Sequence, residues 1–287
     1  MGYKALMKEG FDMSVLDFEK KHDHVVCIDS DGCAMDTMNI KHFQCFGPCM
    51  IKEWGLEQWE SEILEKWNEI NLFSMTRGIN RFKGLALCLF YVDEKFVKIE
   101  GVKALKTWSD DAPELSNNAV SKMMGVSGIF EKALNWSKSV NEAIEALPEE
   151  EIKPFEGVKE AFDAIYGKCD IAVVSSANPE AVRAEWGRFG LLDMVDIVCT
   201  QEMGSKSACL GMIRNKGYEA GHILMVGDAP GDLQAAGENG VFFYPILVRH
   251  EAESWREFTD KALEKFVADD YEEYGRLKAG EFKENLA

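Results

Sequence analysis

Two aspartates one residue apart, Asp29 and Asp31, close a short apolar run in Val25-Val26-Cys27-Ile28-Asp29-Ser30-Asp31-Gly32-Cys33, and Asp36 follows shortly after. Carboxylates at i and i+2 can divide the work of phosphoryl transfer. One attacks phosphorus, while the other protonates the leaving oxygen and afterwards deprotonates the hydrolytic water. The plainer reading is that Asp and Gly turn the chain at a strand end, and this pattern alone does not separate the two.

Three more features stand where such a reaction needs them. Val173-Val174-Ser175-Ser176-Ala177-Asn178 leads into Pro179, a residue suited to the first turn of a helix. Hydroxyls and N–H groups at a helix start can hold an anion, although Ser in that place is more often a simple cap. Gly204-Ser205-Lys206-Ser207 puts a lysine at another helix start, where the dipole disfavours a cation unless an anion lies close. It lacks the spacing of a nucleotide-binding P-loop. Finally Val226-Gly227-Asp228-Ala229-Pro230-Gly231-Asp232 offers Asp228 as an oxygen ligand for a hard cation and Asp232 as a support behind it.

The segments around these residues define what positions them. β-rich apolar runs occur at His24–Ile28, Asp170–Val174, Val195–Cys199, His222–Val226 and Val241–Tyr244, with helical patterns between the later ones. That alternation predicts βαβ units and a parallel sheet, beyond whose strand ends ligands bind. From Asn39 to Leu147 no comparable strand run appears; Trp59, Ile63, Leu64, Trp67 and Ile70 are spaced for one helix face. Leu147-Pro148, three glutamates and Pro154 mark a linker. The expected organisation is a doubly wound α/β core over residues 1–37 and 150–287, interrupted by an all-helical unit over 38–149. A last helical pattern, with Trp255, Phe258, Leu263 and Phe266, is expected to pack on the core.

Taken together and in order, Asp29-Ser30-Asp31-Gly32, Ser175, Lys206 and Gly227-Asp228 through Asp232 resemble the four motifs of the haloacid dehalogenase superfamily. The resemblance covers Val25–Asp36 and about Phe155–Tyr244, and it implies an α/β fold with a Rossmann-like parallel sheet core and an all-helical cap inserted after the first motif, as in the phosphoglycolate-phosphatase-like members. It implies that Asp29 is the nucleophile and a Mg²⁺ ligand, and that Asp31 is the acid/base whose backbone carbonyl also meets the metal. Ser175, Ser176 and Lys206 would hold phosphate oxygens, Asp228 would ligate Mg²⁺, and Asp232 would support the site. The implied activity is hydrolysis of a small-molecule phosphate monoester through an aspartyl-phosphate. Cys33 stands where the family usually has Thr, and the cap is larger than is typical. Dehalogenases and phosphonatases lack the second aspartate, so Asp31 argues against both. A sugar-phosphate mutase of the β-phosphoglucomutase kind keeps all four motifs and remains an alternative; a non-catalytic phosphate-binding protein would have been expected to lose Asp29 or Asp31.

Since core motifs of this kind read phosphate and metal, leaving-group selectivity is expected from the helical insert. Arg77 and Arg81, four residues apart in Thr76-Arg77-Gly78-Ile79-Asn80-Arg81, share a face if that segment is helical and are candidates to contact substrate. The competing expectation is that they pair with neighbouring acids.

Bulk properties narrow the partners. With 50 acidic against 32 basic residues the net charge is −18, which repels nucleic acid. No stretch reaches the roughly 20 apolar residues of a membrane span, and Met1–Lys20 lacks the apolar centre of a signal peptide. A cytoplasmic enzyme of small phosphorylated metabolites is the expectation. The eight cysteines form no C-x-x-C pair and several lie in apolar runs, so reduced, buried thiols are predicted.

Overall fold

Val25–Ile28 (β1), Asp170–Val174 (β2), Ile197–Cys199 (β3) and Ile223–Gly227 (β4) are buried at every position, as is most of Phe242–Pro245 (β5). Strands apolar on both faces must be covered on both, which favours a parallel sheet flanked by helices. All pairings are parallel, and the strand order is β3-β2-β1-β4-β5. In the register Ile28 lies beside Val173 on one side and Val226 on the other. The chain thus reverses its direction of travel across the sheet beside β1, and a crevice opens there at the carboxyl ends of the strands.

This computed structural model describes residues 18–287. Met1–Asp17, which carry most of the stretch read above as no signal peptide, lie outside the described residues. Among the described residues, no helix is long and apolar enough to cross a membrane.

The chain forms two compact units. The α/β unit runs through Ala34 and resumes over Pro154–Asp228 and Asp232–Phe282. Its helix Val158–Ile165 buries Val158, Ala161, Phe162 and Ile165, a stripe at i, i+3, i+4 and i+7. Helices Pro179–Arg188, Lys206–Arg214 and Pro230–Asn239 follow β2, β3 and β4. After β5, Glu251–Glu257, a π-helical turn Phe258–Ala262 and Leu263–Val267 bury Trp255, Phe258, Leu263 and Phe266. The packing expected of those four residues is present.

The second unit comprises Met35–Lys153 with Ala229–Gly231 and Lys283–Ala287. Between Met35 and Lys153 its regular elements are helical: Met38–Ile40 runs through a π-helical segment, Lys41–Phe46, into Gly47–Trp54, and Glu60–Leu72, Arg81–Lys95, Val102–Asp111, Asn117–Ser121 and Gly128–Glu145 follow. Their shared core is aromatic at its centre. Phe46, Trp67, Phe82, Trp108, Phe130 and Trp136 are buried together, and the indole N–H of Trp136 donates to the Phe46 carbonyl at 3.1 Å. Burying six large rings in a unit of this size supplies its main cohesion. All eight cysteines are free thiols, seven of them buried and Cys49 half-buried.

Candidate active site

Each motif strand ends in the residue that matters. The Asp29 N–H donates to Val226 O at 3.0 Å and the Ser175 N–H to Cys199 O at 2.9 Å, so the sheet ladder fixes the backbone of both. Asp29, Ser175 and Asp228 therefore sit at the carboxyl ends of three adjacent strands, β1, β2 and β4. Beyond Asp29 the chain turns sharply. Gly32 has φ 82°, a conformation that a residue with a Cβ adopts at a cost, which accounts for the glycine after the second aspartate.

Two indoles pin this turn. Trp186, on the helix after β2, donates to Ser30 Oγ at 2.8 Å, and Trp255, on the helix after β5, donates to the Cys33 carbonyl at 3.0 Å. Cys33 Sγ reaches Val226 O at 3.5 Å, a weak contact. The Ser30 N–H donates to Asp29 Oδ1 at 2.7 Å. Sequence reading missed both tryptophans as parts of the site. Trp255 was visible only as a packing residue, and nothing local marked Trp186, because their partners are 222 and 156 residues away.

Lys206 occupies the first position of its helix, and Ser205 is the cap, its Oγ accepting from Ala208 N–H at 3.2 Å. The ammonium lies 2.7 Å from Asp29 Oδ2 and 2.6 Å from Asp232 Oδ1 with its side chain 15% exposed. These two carboxylates are the anionic partners that the helix position called for. Burial alone would lower the Lys206 pKa, but Asp232 and Asp29 outweigh it and push it up. For Asp29 the balance goes the other way. Burial holds its carboxyl well above the usual range, Lys206 pulls it down, and Asp232 and Asp228 push it up again. The ammonium thus meets two of the three buried carboxylates at these strand ends, Asp29 and Asp232, with Asp228 close by.

Asp232 is fully buried, and a close approach sets its position. A Cβ on Gly227 would lie 2.3 Å from Asp232 Cγ, so only glycine leaves room for the carboxylate there. Carboxylate oxygens of Asp29, Asp228 and Asp232 all lie within 4.8 Å of one another. An all-oxygen cluster of carboxylates is the donor set of a hard divalent cation.

The other expected residues fall as follows. Asp31 is half-buried in the turn, two residues past Asp29. Ser175 is buried, and its Oγ accepts from Ala177 N–H at 3.1 Å, whereas Ser176 is exposed. Asn178, not either serine, caps the helix after β2, accepting from Ala181 N–H at 2.8 Å. In the helical unit, Arg77 and Arg81 do not share a helix face, because the helix begins at Arg81 with Asn80 as its cap and Arg77 lies in the turn before it. Arg77 is buried and donates to Leu72 O at 2.9 Å. Arg81 donates to Ser137 Oγ at 3.0 Å and Asn141 Oδ1 at 2.7 Å, with its guanidinium 5.0 Å from the centre of the Phe46 ring. Its partners are thus neutral groups, where the competing expectation had acids.

Comparison with known proteins agrees with this architecture. No curated protein matches the chain. Among solved structures, a candidate phosphoglycolate phosphatase from Lactobacillus delbrueckii subsp. bulgaricus is 12% identical with a TM-score of 0.50, over 83% of this chain and 98% of that one. A candidate β-phosphoglucomutase from Thermotoga maritima is 16% identical with a TM-score of 0.46, over 77% and 84%. At such identities the likeness concerns the fold. The model of the haloacid dehalogenase-like hydrolases matches residues 91–246, just over half of the chain. That stretch contains Ser175, Lys206, Asp228 and Asp232 but begins beyond Asp29, which the folded sheet brings back to them. The chain belongs to the haloacid dehalogenase-like hydrolases.

Proposed function

We propose that the protein is a Mg²⁺-dependent phosphatase that hydrolyses a small phosphate monoester through an aspartyl-phosphate on Asp29. The observation that carries this reading is the buried cluster at the strand ends, in which Lys206 joins Asp29 to Asp232 and Asp228 lies within the same 4.8 Å set. In the first step an Asp29 oxygen attacks phosphorus as the ester P–O bond breaks, and the Asp31 carboxyl gives its proton to the leaving oxygen. In the second, Asp31 as carboxylate takes a proton from water, which attacks phosphorus and releases inorganic phosphate from Asp29. Lys206 holds Asp29 in place and lowers the repulsion between its carboxylate and the incoming phosphate, with Ser175 and Ser176 as further phosphate contacts. Mg²⁺, held by Asp29, Asp228 and the Asp31 carbonyl, would supply positive charge beside the phosphate oxygens. The helical unit serves as a cap that selects the leaving group.

The test is turnover of a panel of phosphate monoesters with and without Mg²⁺. Activity that chelation silences, and that Asp29→Asn abolishes because an amide is no nucleophile, is the expected result. Near-normal hydrolysis by Asp29→Asn would overturn the mechanism. Transfer of phosphate between the hydroxyls of a sugar monophosphate, in place of its release, would point to a mutase.

A further inference from the structure

His24 and His222 each immediately precede a central strand. Because β1 and β4 pair with Val25 beside Ile223, the two histidines are side by side at the amino-terminal edge of the sheet. About 16 Å of strand separates them from the catalytic carboxylates. Their backbones are fixed by Asp170 N–H donating to His24 O at 2.9 Å and by His222 N–H donating to Glu219 O at 3.0 Å. The rings lie tilted by 35° with centroids 4.2 Å apart, and Phe266 packs edge-on against His24 at 5.0 Å. Both Nε2 atoms meet the same oxygen, Asp269 Oδ1, at 3.1 and 3.2 Å. Asp269 is held there by a left-handed backbone, φ 56°, just past the helix Leu263–Val267, its N–H donating to Phe266 O at 3.2 Å.

We propose that His24, His222 and Asp269 form a second metal site, for a divalent transition ion of the zinc type, which fastens residue 269 to the starts of β1 and β4. Two imidazole nitrogens and one carboxylate suit Zn²⁺ and its neighbours and do not suit Mg²⁺. In a tetrahedral zinc site with bonds of about 2.0–2.1 Å the ligand atoms stand about 3.3 Å apart, and the two nitrogen–oxygen separations here fall just short of that. The side chains are 10%, 24% and 64% exposed for His24, His222 and Asp269, so an ion can enter from solvent and water can complete the shell. On binding, each imidazole gives its Nε2 lone pair to the metal and keeps its single proton on Nδ1. The ligands come from three separate parts of one unit and are already converged, so little rearrangement opposes binding.

The test is titration of the untagged full chain with Zn²⁺ against a chromogenic chelator, in excess Mg²⁺ to fill the oxygen cluster. One equivalent should bind in the low micromolar range or tighter and raise the Tm. His222→Ala and Asp269→Asn should each weaken that binding by at least about tenfold and remove the Tm response; asparagine tolerates the left-handed backbone, so the second variant keeps the fold. Asp228→Asn should retain the equivalent. The proposal is overturned if no saturable binding tighter than millimolar is found. It is equally overturned if the bound equivalent survives in both His222→Ala and Asp269→Asn, or disappears in Asp228→Asn.

Discussion

Replacing Lys206 by methionine tests the electrostatic centre of the site with little change of shape. The ammonium lies 2.7 and 2.6 Å from the two carboxylates and is 15% exposed. At an effective dielectric of about 20 each contact attracts by about 6 kcal/mol, most of which offsets the cost of burying the charges. Removing one member leaves that cost uncompensated, which for buried pairs amounts to about 3–5 kcal/mol. Asp29 relieves part of it by taking up a proton, since burial already holds its pKa high. The expected loss in Lys206→Met is therefore about 3 kcal/mol, read by urea unfolding of metal-free protein at neutral pH. Adding Asp232→Asn removes a stranded carboxylate and should return about 1–2 kcal/mol as a coupling term. Activity behaves differently: kcat/KM on an aryl phosphate should fall by about 10²–10³ in the single variant and stay low in the double. A Lys206→Met protein within about 0.5 kcal/mol of the parent in stability and about threefold in kcat/KM would refute the reasoning.

Gly227→Ala pushes a methyl group into Asp232, whose Cγ would be 2.3 Å away, and should cost about 1–3 kcal/mol with loss of turnover, measured by thermal melting and initial rates. Trp255→Phe leaves the Cys33 carbonyl without its indole donor; about 1–3 kcal/mol of stability and a lower kcat are expected, and an unchanged kcat would show that the turn does not need this pin. In metal-free protein the raised Asp29 pKa means that the native state holds a proton which the unfolded chain, with a value near 3.8, has released. Stability should therefore fall as pH rises from the ordinary carboxylate range towards the raised value, more steeply in the parent than in Asp29→Asn; identical slopes in pH-dependent melting would contradict this. Arg81→Ala removes the links to Ser137 and Asn141 and should destabilise the helical unit by about 1–3 kcal/mol in urea unfolding, whereas a loss confined to kcat/KM on the natural substrate would return Arg81 to substrate recognition.

Local chemistry made the fold legible in the sequence and singled out the residues that the folded chain brings to the strand ends. The expected strand Asp170–Val174 matches the observed β2, and the other four expected runs overlap their strands to within two residues, because β-rich runs buried on both faces carry their own signature. The D-x-D-G turn, the capped helix starts and the G-D-x-x-x-D run are each written in a few consecutive residues, and their order along the chain sufficed to group them. What the sequence could not contain is distance. Lys206 at a helix start implied an anion nearby, but only the packed sheet chose Asp29 and Asp232, from segments 177 and 26 residues away. The expectation that Arg77 and Arg81 share a helix face failed because it depended on where the helix begins, and Asn80, by capping Phe82 N–H at 2.9 Å, starts the helix one residue after itself. Trp186, Trp255 and the His24–His222–Asp269 cluster carry no local pattern at all. They meet because packed strands and helices set residues up to 245 positions apart side by side, and that adjacency belongs to the tertiary structure alone.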